Sequence, residues 1–203
     1  MHKAWTLTDA TSVWTVSTAS DPAEVKQHVR ILRESGLLPS ARTRMTDGIA
    51  ARFIVGMLCG KTHANAPEAT LRALRATLTQ FDGPDLPAPF RLGETLGEVL
   101  TKLIFQGRRT HPRPLTVVLL GINADGSGPA LTIGRETGPD ENWGFTNPGE
   151  PIPDEVSESG RLIYPIYLSR ALDGNVINAL LSMVSETVSE LPPAAQHGLI
   201  AAS

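Results

Sequence analysis

The feature that most constrains this chain is a change of period at Arg108-Arg109-Thr110-His111-Pro112-Arg113-Pro114. Two closely spaced prolines forbid a helix and remove donors from any strand ladder, so residues 108–114 read as a linker. Before it, apolar residues recur at helical spacing; after it, they alternate as strands do. The expectation is an α+β protein, with a helical N-terminal region of about four helices, then a small antiparallel sheet of about three strands and a C-terminal helix.

The first helix with clear boundaries starts at Asp21-Pro22-Ala23-Glu24. Asp caps, Pro fits the first helical position, and Glu three residues after the cap can close a capping box. The helix runs to Gly36. It places Val25, Val29 and Leu32 on one side and Lys26, Arg30 and Arg33 on the adjoining side. A second helix, about 47–59, follows the Thr46-Asp47 cap and is almost wholly apolar. A third opens at Pro67 and carries Leu71, Leu74, Leu78 and Phe81 to the stop at Gly83-Pro84. The fourth spans about 94–106. Residues 1–20, rich in Thr and Ser around Trp5, Leu7, Val13, Trp14 and Val16, read as an N-terminal arm, in the form of a short strand, a hairpin or an ordered segment.

Beyond the linker, 115–122 and 130–135 read as a hairpin around the turn Asn123-Ala124-Asp125-Gly126-Ser127-Gly128. Residues 137–160 are rich in Gly, Pro and acidic side chains, with Trp143 and Phe145 as the large apolar groups. A loop of that length is either mobile or functional, and these two residues are the candidate partner contact. A third strand is expected over 161–169. A helix from Asp173 to about Leu191 should pack on the sheet or pair with its copy across a two-fold axis, which points to a homodimer or higher oligomer.

Charge divides along the same line. Residues 1–115 hold 15 Lys/Arg and 10 Asp/Glu, whereas 116–203 hold 3 and 11, a polarity that the net charge of −3 conceals. A uniformly basic nucleic-acid coat is excluded, but a basic face on the N-terminal region is not. The single cysteine, Cys59, allows no internal disulfide, and no apolar run is long enough for a signal peptide or membrane span, so a cytoplasmic life is expected. Gly60-Lys61-Thr62 has the ending of a phosphate-binding loop, but Val55 stands where the motif needs Gly. Asn123 to Gly134 places Gly134 where a calcium loop needs Glu, so a hairpin turn is the better reading. The five histidines stand at no ligand spacing with one another or with Cys59. No catalytic residue, metal or cofactor is expected.

The stretch Val29-Arg30-Ile31-Leu32-Arg33-Glu34-Ser35-Gly36-Leu37-Leu38-Pro39-Ser40-Ala41-Arg42 resembles the part of MerR-type winged-helix regulators where a recognition helix ends in an Ile-Gly-Leu-Leu-Pro-like turn and a basic wing follows. Its setting ahead of a helical domain also looks like small phage and prophage regulators. The resemblance implies a helix-turn-helix or winged-helix N-terminal region, 21–107, that binds double-stranded DNA. Lys26, Arg30 and Arg33 would lie on the recognition helix and Arg42 and Arg44 on the wing. The C-terminal region, 115–203, would then serve self-association. The rival expectation is a non-enzymatic, phage-type assembly or adaptor protein that uses the sheet and a partner contact within 137–160.

Overall fold

A computed structural model describes residues 5–60, 63–82, 86, 89–109, 117–134, 141–150 and 170–172. They form an α+β fold. In chain order the elements are α1 (Leu7–Ser17), α2 (Pro22–Glu34), α3 (Asp47–Leu58), a 3-10 turn (His63–Asn65), α4 (Ala66–Arg75), β1 (Thr77–Asp82), α5 (Leu96–Arg109), β2 (Val117–Ile122), β3 (Ala130–Gly134), β4 (Glu141–Thr146) and β5 (Arg170–Leu172).

The N-terminal arm is corrected to a helix. The Thr6 hydroxyl accepts from the Asp9 amide at 3.4 Å while the Thr6 amide donates to the Asp9 carboxylate at 2.9 Å, which closes a capping box. Within α1, the hydroxyls of Thr11, Ser12 and Thr15 donate to the carbonyls one turn back, at 2.8, 3.1 and 2.8 Å. Side chains that favour other backbone states are thus satisfied inside the helix. Leu7, Ala10 and Trp14 form the buried side, and Trp14 meets Phe53 of α3 edge to face at 5.8 Å.

Helix α2 begins at the expected Asp21 cap with Pro22 in its first turn, but the Asp21 carboxylate accepts from the Ala23 amide, at 2.8 Å, in place of the capping box expected with Glu24. It ends in a Schellman turn. Gly36, at φ +78°, donates to the Arg33 carbonyl, and Leu37 donates to the Leu32 carbonyl, each at 3.0 Å. Leu37 and Leu38 then enter the core. Helix α3 is nearly all buried, and Gly56 lets α2 close on it, since a Cβ there would stand 2.7 Å from a Leu32 methyl.

The expected third helix is shorter than its apolar spacing suggested. It stops at Arg75, Ala76 turns extended, and Leu78 and Phe81 lie in β1 opposite Phe145 and Trp143 of β4. The sheet is antiparallel with order β1-β4-β3-β2-β5. The β2–β3 hairpin is present as expected, and β4 lies where a long loop was anticipated. Arg108 and Arg109 belong to α5 rather than to the linker. The strand expected over 161–169 and the C-terminal helix over 173–191 lie outside the described residues.

Helical and sheet residues share one core, from Leu7 and Leu32 through Phe53, Leu78 and Leu96 to Leu131 and Phe145. The edge strand β1 comes from the region before the linker, and the other strands from after it, so the sheet is built from both sides of it. The β2–β3 turn packs on α4 so tightly that a Cβ on Gly126, at φ +82°, would stand 2.0 Å from the Ala69 carbonyl oxygen. Arg72 of α4 then holds the turn through Asp125 at 3.0 Å, and its other nitrogen pairs with Glu150 beyond β4.

Candidate nucleic-acid interface

Helices α1 and α2 are joined through Thr18, Ala19, Ser20 and the cap Asp21, with Ala19 at φ +50°. A left-handed residue lets the chain reverse within so few positions. After α2, the chain returns along the start of α1. The Leu7 amide donates to the Thr43 carbonyl at 3.2 Å, the Thr8 amide to the Ala41 carbonyl at 3.1 Å, and the Met45 amide to the Trp5 carbonyl at 3.0 Å. Thr6 and Arg44 form an antiparallel bridge, and Met45 is buried as its anchor. This unit is two helices and an extended segment tied back to the first.

All five basic residues singled out from the sequence, Lys26, Arg30, Arg33, Arg42 and Arg44, are exposed on this unit. On α2, Val25, His28, Val29 and Leu32 face the core, which leaves Lys26, Gln27, Arg30 and Arg33 outward. The Arg30 Nε donates to the Glu34 carboxylate at 2.7 Å, and this hydrogen bond and the carboxylate charge raise the guanidinium pKa further. The Arg33 Nε donates to the Pro39 carbonyl at 3.2 Å. Asp21 caps α2 and Glu24 sits in its first turn, where the helix dipole favours both.

His28 donates from Nε2 to the Gly56 carbonyl at 2.8 Å, and its Nδ1 lies 3.1 Å from Nδ1 of His63 in the 3-10 turn. Sequence reasoning missed this pair. The two histidines are 35 positions apart, and no local spacing signals their approach.

The remaining candidates are placed in the framework. Trp143 and Phe145, expected as a partner contact, are each only 1% exposed and belong to the core, where Trp143 meets Phe81 and Phe90 edge to face at 5.4 and 4.9 Å. Their large apolar surface fills the sheet face instead. Burial pushes the Cys59 thiol up to about 12, so it remains protonated at neutral pH and is no nucleophile. Asp125 accepts from the Ser127 amide at 3.0 Å and from its hydroxyl at 2.6 Å, and Gly126 donates to the Asn123 carbonyl at 2.8 Å. These bonds make a hairpin turn. Among the described residues, no group of three His, Cys, Asp or Glu side chains could hold a metal ion, and no helix is long and apolar enough to cross a membrane.

Neither a family model, nor a curated protein, nor a solved structure matches this chain.

Proposed function

We propose that this protein binds double-stranded DNA through α2 and the extended segment that follows it, as a regulator of the phage or mobile-element kind. The observation that carries the reading is the joining of α1, a short left-handed connection, α2, and a basic segment hydrogen-bonded back to the entrance of α1. In that arrangement α1 braces α2, and α2 offers an outward face of Lys26, Gln27, Arg30 and Arg33 to a major groove. The segment carrying Arg42 and Arg44 flanks it at the height of the sugar-phosphate backbone, as a wing does. A helix about 10–12 Å across fits a groove about 12 Å wide. The concentration of Lys and Arg before residue 116, and of acidic residues after it, orients the molecule with its C-terminal part away from DNA.

The test is fluorescence anisotropy of a labelled random-sequence duplex at several salt concentrations. Three to five phosphate contacts predict a log–log slope of about −2.7 to −4.5 with salt. Absence of binding at the lowest salt would remove this reading.

A further inference from the structure

Resting on the DNA-binding reading, we infer that Arg30 reads a guanine in the major groove and that Glu34 is the residue that positions it. Guanine offers two acceptors, O6 and N7, on its major-groove edge, and the two terminal nitrogens of a guanidinium match them end-on. That contact requires the Nη1 and Nη2 edge to be unengaged and the plane of the group to be held. Arg30 meets both conditions. Its Nε is bound to the Glu34 carboxylate at 2.7 Å, and its two terminal nitrogens make no hydrogen bond among the described residues.

The pair is poorly explained as a helix-stabilising device. Glu34 is the last residue of α2, where the helix dipole disfavours a carboxylate, and Arg before Glu is the weaker order for a pair four residues apart. Both side chains are more than half exposed, at 65% and 59%, so solvent screens the attraction. What the ion pair does is bias the orientation of a long side chain on the outward face of the helix, with Nε engaged and the two terminal nitrogens left for a base. Part of the ordering cost of reading a base is thereby met before DNA arrives.

The other basic groups fit this role less well. Lys26 has no planar fork, and a point charge suits a phosphate. Arg33 is tethered through Nε to the Pro39 carbonyl, a longer bond that draws it toward the turn after α2. Arg42 and Arg44 lie on the flanking segment.

The experiment starts from duplexes that the full chain selects from a random-sequence pool, resynthesised with 7-deazaguanine at one guanine at a time. The substitution removes N7 and leaves the base pair intact. The wild-type chain should lose about 5- to 150-fold in affinity at one position in the site. Arg30→Met, which keeps a long side chain but offers no donor to either acceptor, should erase that position's penalty. Glu34→Ala should reduce the penalty, and Glu34→Gln, which keeps an acceptor for Nε, should restore most of it. Arg33→Lys should leave the penalty in place. A stable helical signal in every variant checks the fold. If the chain binds duplexes and the penalty persists in Arg30→Met, is unchanged in Glu34→Ala, or disappears in Arg33→Lys, the inference is overturned while the DNA-binding reading stands. Failure of the wild-type chain to bind any duplex at low salt would overturn both.

Discussion

Nδ1 of His28 and Nδ1 of His63 stand 3.1 Å apart, with Nε2 of His28 fixed on the Gly56 carbonyl at 2.8 Å. A carbonyl can only accept, so the proton of a neutral His28 resides on Nε2, its Nδ1 is the acceptor, and His63 donates from its own Nδ1. One imidazole thereby joins α2 to α3 and to the turn ahead of α4. His28→Phe keeps ring volume but leaves the Gly56 carbonyl unpaired, and should lower stability by about 1–3 kcal/mol in urea unfolding. His63, only half-buried, should matter less when changed to Ala.

The outward charges of α2 should be separable from the fold. Reversing Arg30 and Arg33 to Glu removes two cations from the proposed DNA face without touching Val25, Val29 or Leu32. DNA affinity by anisotropy should fall by at least tenfold, and the unfolding temperature should change little. A large drop in that temperature would instead make these residues part of the framework.

Gly126 should be among the least replaceable glycines. Gly126→Ala combines a left-handed φ of +82° with a Cβ placed 2.0 Å from the Ala69 carbonyl oxygen, which forces the turn off α4. A loss of about 2–4 kcal/mol is expected. Gly149→Ala, at the same φ but with nothing within 4 Å of its Cβ, should cost only about 1–2 kcal/mol. The comparison of denaturant midpoints separates crowding from backbone strain.

The indole nitrogen of Trp143 is buried and has no hydrogen-bond partner among the described residues. Trp143→Phe removes an unsatisfied donor along with some volume, so it should cost no more than about 1.5 kcal/mol, whereas Trp143→Ala should cost about 3–5 kcal/mol. If Trp143→Ala were harmless to stability, the core placement of this residue would be refuted.

Acid should loosen the hairpin turn and the start of α5. At Asp125, burial raises the carboxyl pKa, but bonds from the Ser127 hydroxyl and amide and the charge of Arg72 outweigh it and leave it below the ordinary value. Glu98 is lowered chiefly by the Thr95 amide and hydroxyl. A carboxylate with a lower pKa folded than unfolded contributes stability that is complete above the ordinary carboxylate range. That stability is lost as pH falls through the folded value. Stability should therefore decline on acidification below the ordinary carboxylate range, and less steeply in Asp125→Asn than in wild type when urea midpoints are compared across pH.

Much of α2 and α3 is legible from local chemistry, because Asp21, Pro22, Gly36 and Thr46 act through neighbours a few positions away. The β2–β3 hairpin is readable for the same reason. Helix α1 is not, since Thr and Ser usually compete with helical bonding, and only their donation to carbonyls one turn back reconciles them with a helix. Leu71, Leu74, Leu78 and Phe81 fall at helical spacing, yet the last two are claimed by β4. Trp143 and Phe145 look like exposed aromatics in an acidic, Gly-rich stretch, because their strand partners come much earlier in the chain. The five basic residues are all found on the exposed side, whereas the histidine pair beneath them depends on tertiary approach alone.

The origin of β1 bears on the order in which the molecule can be completed. Helices α1 to α3 close on near neighbours, so they can assemble while the ribosome is still at work. Strand β1 lacks its partner until β4 has been made, and in the interval Leu78 and Phe81 present an open, greasy border. A fragment ending just after α5 would keep that border permanently and so be prone to clump. Severing the chain between α5 and β2 should therefore leave two pieces that complete the sheet only when brought together again.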